Sequence, residues 1–200
     1  MLTRDGAQKL AYRVPWLYHV VHRSDEGARE TIGSDGLTPG RSRHCWHPTF
    51  KPRQGHVYLA THRYLTAAPW NLWRKGDDLY AVDVGCLVPA RINPDEDHFI
   101  EGGTGACDKF RLPRPAGQDL WKLFGPKFVP SYGDWADQVD LGSHPTHTAY
   151  SASRGSLAYS GVVPPKALRR WDEVSRQWTG RSETPSGGSL PSSTKEPDEH

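Results

Sequence analysis

The stretch WLYHVV, residues 16–21, combines strand-forming side chains with one titratable group near its middle. Trp, Leu, Tyr and Val are enriched in strands, and a short run of them predicts one. A histidine inside such a run is either a core residue with satisfied hydrogen bonds or a group held rigidly for chemistry. His19 is therefore the first candidate functional residue, and the rest of the chain must decide between the two.

Other segments complete a coarse map of the elements. Further strands are predicted over HVYLAT (56–61), LYAVDV (79–84) and SLAYSGVV (156–163), and helical segments over 24–33, 62–74 and 164–174. A glycine, Gly33 or Gly36, should end the first of these helices. The strands are short, of mixed polarity, and joined by irregular loops. This pattern favours an α+β fold with a split antiparallel sheet over a doubly wound parallel sheet.

Length and composition indicate one domain and a tail. The chain has 200 residues; 1–175 should form the domain, and the Gly-, Ser- and Pro-rich residues 176–200 a disordered tail. A net charge of +2 gives no global reason to expect a nucleic-acid or membrane partner. Three cysteines do not make a disulfide framework, and no signal peptide or membrane helix is evident, so we expect a cytoplasmic protein.

A metal site is not expected from the sequence. The phrase HCWH, residues 44–47, places two histidines and a cysteine close together. A structural zinc needs four ligands at suitable spacing, and the chain has no second Cys/His pair of that kind. We therefore assign no residue to a metal.

Three phrases in order, YHVV, HVYLAT and LYAVDV, resemble the ADP-ribosyltransferase fold, whose members grip NAD between two half-sheets. In the branch with a His-Tyr-Glu triad, His19 matches the histidine that holds the nicotinamide ribose, and Tyr58 matches the tyrosine that stacks on nicotinamide. HVYLATHRYLTAAPW and the acidic turn NPDEDH are most similar to the small rifamycin ADP-ribosyltransferases. There an aspartate replaces the glutamate, and Asp95 and Asp97 both match it. Residues 99–148 have no counterpart and are expected to be an insertion.

The resemblance implies a mono-ADP-ribosyltransferase that cleaves NAD between nicotinamide and ribose. Leu157 and Ala158 stand about where the triad glutamate would lie, which favours a small-molecule or nucleic-acid acceptor over a protein. Two alternatives stay open. One is an RNA 2′-phosphotransferase, which shares the fold and also uses NAD; the other is a non-catalytic nucleotide-binding module.

The expected NAD contacts follow from the chemistry of the dinucleotide. Arginine binds phosphate oxygens bidentately, so Arg23, Arg41, Arg43 and Arg53 are candidates for the pyrophosphate. Residues 40–55, which include Arg41, Arg43 and Arg53, are predicted to form a basic loop. Trp46 in this loop could cover the adenine. The acceptor and the oligomeric state are left undetermined by the sequence.

Overall fold

The computed structural model describes residues 4–40, 53–62, 65, 72–100, 105–114 and 132–180. Within these ranges the helices are α1 (Arg4–Arg13), α2 (Glu26–Asp35), α3 (Asp97–Ile100), α4 (Gly105–Phe110), α5 (Tyr132–Gln138) and α6 (Pro145–Arg154). The strands are β1 (Trp16–Val21), β2 (His56–Ala60), β3 (Asp78–Asp83), β4 (Ile92–Pro94), β5 (Ser156–Ser160), β6 (Leu168–Asp172) and β7 (Gln177–Thr179).

The strands form a seven-stranded antiparallel sheet in the order β4-β5-β2-β1-β3-β6-β7, so the fold is mixed α and β, as expected. Pairing is uneven across it. β1 pairs with β3 at six positions and β2 pairs with β5 at five, whereas β1 and β2 share one paired position, Tyr18 with Ala60. Apart from that one position, β1 and β2 form no ladder pairs, and we call the gap between these two strands the seam.

One face of the sheet carries the main hydrophobic core, which spans both sides of the seam. Side chains alternate along a strand, so Leu17 and Val21 of β1 share a face, as do Val57 and Leu59 of β2. All four are buried in the same cluster, together with Ala28 and Ile32 of α2. Helix α2 thus packs on this side of the sheet, which we call the α2 face.

Helix α2 ends at Gly36 for a steric reason. Gly36 has φ 79°, and a Cβ there would collide with the carbonyl oxygen of Val163. The next residue, Leu37, forms an isolated antiparallel bridge with Val163. Only glycine combines this backbone angle with so close an approach, and the structure confirms that a glycine ends the helix.

The opposite face of the sheet is covered by two smaller clusters. Beside β4 and β5, helices α3 to α6 enclose a second core that includes Phe99, Cys107, Trp135 and Leu141. These helices fall largely within the expected insertion, 99–148. On the other half-sheet, Tyr18, Val20, Trp171 and Trp178 belong to a third cluster. No helix in the described part of the chain is long and apolar enough to cross a membrane.

The four predicted strands are confirmed, with ends shifted by up to three residues. The helix predicted over 164–174 is wrong: a short 3-10 turn, Pro165–Ala167, leads directly into strand β6. The sheet also continues past residue 175, because Trp171 of β6 pairs with Trp178 of β7. Most of the helix predicted over 62–74 lies outside the described residues.

Candidate functional site

His19 lies at the seam, where the backbone ladder between β1 and β2 stops. Its Nδ1 lies 2.9 Å from the backbone carbonyl oxygen of Tyr58. The side chain therefore reaches across to β2 and binds a carbonyl that no β1 backbone group pairs with. The carbonyl can only accept, so Nδ1 carries the proton. In the neutral ring, Nε2 is then a hydrogen-bond acceptor, and no described residue bonds to it.

The imidazole of His19 is neutral at physiological pH. Burial lowers its pKa below the ordinary value, outweighing the hydrogen bond to Tyr58 and the charge of Asp25, which both act to raise it. Asp25 precedes α2, on the same face as His19. Its Oδ2 is buried and has no hydrogen-bond partner among the described residues. This face of the seam thus presents two acceptors, His19 Nε2 and Asp25 Oδ2.

Tyr58 ends in a buried hydrogen-bonded group. Its hydroxyl donates to Glu96 Oε1, the residue between the two aspartates picked from the sequence. The backbone N–H of Arg53 donates to both oxygens, at 2.9 Å to Tyr58 Oη and 3.0 Å to Glu96 Oε1. Burial, followed by the charge of Glu96, raises the pKa of Tyr58, so the phenol keeps its proton. Its hydroxyl therefore donates its one proton to the Glu96 carboxyl group.

Glu96 is 1% exposed, and its second oxygen, Oε2, has no hydrogen-bond partner among the described residues. Burial, followed by the charge of Asp95, raises the pKa of Glu96 to about 7. A buried, strongly perturbed carboxyl beside a candidate site residue is a feature of functional sites and of structural polar networks. Sequence reasoning missed Glu96, because three acids in NPDEDH could each face the sheet and one residue of register decides.

Asp95 and Asp97, the carboxylates expected to do chemistry, have other surroundings. Asp95 is buried; its Oδ2 accepts from the Ser156 hydroxyl at 2.5 Å, and its Oδ1 from the Asp97 N–H at 3.1 Å. Since the Ser156 hydroxyl donates to Asp95, His98 Nε2, 2.6 Å away, must donate to that hydroxyl. Asp95 thus ties α3 to β5 instead of facing the seam, and Asp97 opens α3 half-exposed.

Because the resemblance gives the ribose to His19 and the nicotinamide ring to Tyr58, both side chains are expected to face one NAD, but the structure places them on opposite faces of the sheet. With Tyr18 opposite Ala60, the register aligns His19 with Leu59, and Tyr58 falls on the opposite face. Tyr80, the partner of His19 on β3, is buried on the α2 face. The two residues still border the same seam, from opposite faces of the sheet, and the hydrogen bond from His19 to the Tyr58 carbonyl joins them.

The four arginines expected to bind the pyrophosphate differ in their surroundings, and the structure describes two of them. Arg53 pairs with Asp137 of α5 at 2.7 Å, while its Nη1 is buried and has no hydrogen-bond partner among the described residues. Arg23 follows β1, is exposed, and forms no ion pair with a described residue. Arg41, Arg43 and Trp46 lie outside the described residues.

Within the described ranges, no group of three or more His, Cys, Asp or Glu side chains could hold a metal ion. The phrase HCWH lies outside those ranges. The comparisons with known proteins gave no match to a family model, to a curated protein or to a solved structure. The interpretation of the site therefore depends on its geometry and on the sequence motifs.

Proposed function

We propose that this protein is an NAD-dependent mono-ADP-ribosyltransferase with its site at the seam between β1 and β2. The reaction breaks the bond between nicotinamide and ribose and joins C1′ of the ribose to a nucleophile of a small-molecule or nucleic-acid acceptor, which gives up a proton. The observation that carries the proposal is the imidazole of His19, held across the seam with Nε2 left as an acceptor. Such an acceptor suits a sugar hydroxyl, which has a proton to donate.

The α2 face supplies what the ribose requires. His19 Nε2 accepts from one ribose hydroxyl, and Asp25 Oδ2 offers a second acceptor with negative charge. Cleavage at C1′ passes through a cation-like sugar, which nearby negative charge stabilises. Nicotinamide leaves as a neutral molecule, so orientation and electrostatics matter more here than a strong general acid.

On the other face, Tyr58 borders the seam, and Glu96 fixes its position. The hydrogen bonds among Tyr58, Glu96 and the Arg53 N–H restrict the phenol to one orientation. We assign Tyr58 to contact with the nicotinamide end of the substrate. Glu96 is a positioning residue, since its carboxyl is buried and acts through Tyr58. In this assignment Glu96 replaces Asp95 and Asp97 as the important acid of the NPDEDH turn.

Nicotinamide release tests the proposal. The purified chain is incubated with NAD alone and with a panel of acceptors: amine- and hydroxyl-bearing small molecules, single-stranded DNA and RNA, and 2′-phosphorylated RNA. We expect release with one acceptor class, and a loss of roughly 100-fold or more in His19→Ala. His56→Ala is the matched control, because His56 also lies on a strand and bonds a backbone carbonyl, yet stands at the far end of β2.

Three outcomes would contradict the proposal. Turnover confined to 2′-phosphorylated RNA would select the RNA 2′-phosphotransferase alternative. Binding of NAD without release for any acceptor would instead favour a nucleotide-binding module. An equal loss of nicotinamide release in His19→Ala and His56→Ala, with both variants folded, would show that the seam takes no part in the reaction.

A further inference from the structure

Two arginines on the α2 face hold one carboxylate between them. Asp78 of β3, whose side chain is 9% exposed, accepts from Arg29 of α2 through Nε at 2.7 Å and through the outer nitrogen at 3.0 Å. Arg170 of β6 donates to the same Asp78 Oδ1 at 2.8 Å. Burial alone would raise the pKa of Asp78, but the two arginines outweigh it and keep the pKa below its ordinary value. The carboxylate stays charged between the two guanidiniums, and two further acids interact with them, Glu26 with Arg29 and Asp172 with Arg170.

Both guanidiniums keep donors that Asp78 does not use. A guanidinium has five N–H donors in a rigid fork. Arg170 uses one nitrogen on Asp78, its side chain is 53% exposed, and its other nitrogens bond to no described residue. Arg29 is 31% exposed, and its remaining nitrogen makes one long contact, 3.4 Å, to the Arg23 carbonyl. Asp78 therefore fixes two forks in place while their remaining donors stay available.

The arginine pair lies in register with the seam. His19 pairs with Tyr80 of β3, and Tyr80 pairs with Arg170 of β6, so the three side chains form one row on the α2 face. Neighbouring strands are about 4.8 Å apart, which puts the Cα atoms of His19 and Arg170 about 10 Å apart. His19 and Arg170 therefore lie on one face of the sheet, with the buried Tyr80 between them.

We infer that Arg29 and Arg170, held by Asp78, form a binding site for a phosphate group of the nucleotide substrate. The inference deepens the proposed function and rests on it for the identity of the substrate. Phosphate suits the site because its oxygens accept the paired N–H groups of an arginine fork. Neither arginine is among those expected from the sequence at the pyrophosphate.

Calorimetric binding of three probes tests the inference: NAD, inorganic pyrophosphate, and nicotinamide riboside, which has no phosphate. We expect Arg170→Gln to weaken NAD and pyrophosphate binding about tenfold or more and to change riboside binding less than twofold. Arg176→Gln is the matched control, since Arg176 is exposed in the turn between β6 and β7 and has no ion pair among the described residues. Thermal unfolding and circular dichroism of each variant show whether it is folded.

The outcomes separate this inference from the proposed function. If Arg170→Gln binds NAD as tightly as Arg176→Gln while His19→Ala loses NAD, the phosphate site is wrong and the proposed function survives. Pyrophosphate binding that depends on Arg170, in a protein that binds neither NAD nor the riboside, would support the phosphate site and contradict the proposed function. Arg170→Lys, which keeps the charge but loses the fork, should recover only part of the affinity.

Discussion

At the scale of single residues, Glu96 is a buried acid whose proton has thermodynamic consequences. Its pKa rises from the ordinary value of 4.5 in the unfolded chain to about 7 in the folded one. Between these values the folded protein binds more protons than the unfolded chain, so ionisation of Glu96 reduces stability as pH rises through this window. The cost is fully present above pH 7 and absent below about pH 4.5.

Glu96→Gln removes this titration while keeping an oxygen that can accept from Tyr58. We predict that the variant gains stability relative to the wild type as pH rises from 4.5 to 8, by an amount of about 3 kcal/mol. Urea unfolding of both proteins across this range measures the difference. A difference that stays constant with pH would show an ordinary pKa for Glu96, and one that shrinks as pH rises would show a lowered pKa; either result would contradict the account.

Tyr58→Phe isolates the hydroxyl of the same pair. Glu96 would lose its closest donor and retain the Arg53 N–H. We predict a loss of roughly 1–3 kcal/mol in unfolding free energy at pH 8, where Glu96 is charged, and a smaller loss at pH 5. Tyr159→Phe is the comparison: that buried hydroxyl accepts a longer bond, 3.3 Å, from the Val88 N–H. Equal losses for Tyr58→Phe at the two pH values would contradict the account.

At the scale of elements, a buried polar network joins three of them behind the site. The Ser151 hydroxyl of α6 donates to the Ser156 carbonyl at 2.7 Å and accepts from the Asp95 N–H at 2.8 Å. Ser156 of β5 donates in turn to the Asp95 carboxylate, and His98 of α3 donates to Ser156. This network holds the NPDEDH turn in the register that sends Glu96 toward Tyr58.

Ser156→Ala should therefore destabilise the fold by roughly 1–3 kcal/mol, because it removes the hydroxyl that donates to the buried Asp95 carboxylate. Ser160→Ala, at the far end of the same strand, should lower the free energy of unfolding by less than about 0.5 kcal/mol, since that hydroxyl is half-exposed and its bond to the Arg91 carbonyl is long, 3.5 Å. Chemical denaturation compares them, and similar losses for both variants would contradict the role assigned to the network.

The same element scale shows where the sequence was sufficient. Strands rich in Val, Leu and Tyr were predictable at β1, β2, β3 and β5, because their composition is local information. The strand β6 was missed, since PPKALRRW carries helix formers and only pairing with β3 makes it extended. His19 and Tyr58 were predictable as residues, but their faces depend on the register at Tyr18 and Ala60. The roles of Glu96, Arg29 and Arg170 depend on hydrogen bonds to partners that are 38, 49 and 92 residues away in the chain.

At the scale of the whole molecule, the antiparallel sheet joins the two half-sheets, and β7 is its edge strand at one end. Trp178 of β7 contacts Trp171, with ring centroids 5.2 Å apart, and Tyr18 of β1, at 6.0 Å. The last strand thus packs across the half-sheet onto the strand that carries His19. Residues 176–180 are therefore part of the fold that supports the seam.

Trp178→Ala tests this contribution. We predict a loss of roughly 2–3 kcal/mol in unfolding free energy, because a half-buried indole and two aromatic contacts are removed. Gln177→Ala, next to it and exposed, should lie within about 0.5 kcal/mol of the wild type. A Trp178→Ala protein as stable as Gln177→Ala would mean that the domain needs no support from β7.

The state of the His19 imidazole tests the central claim most directly, and it can be measured in ¹⁵N-labelled protein by long-range ¹H–¹⁵N correlation spectra at pH 7. The account predicts a neutral ring protonated at Nδ1, with an Nε2 resonance that shifts on addition of NAD and does not shift on addition of adenosine. A ring protonated at Nε2, or an Nε2 resonance unchanged by saturating NAD, would contradict it.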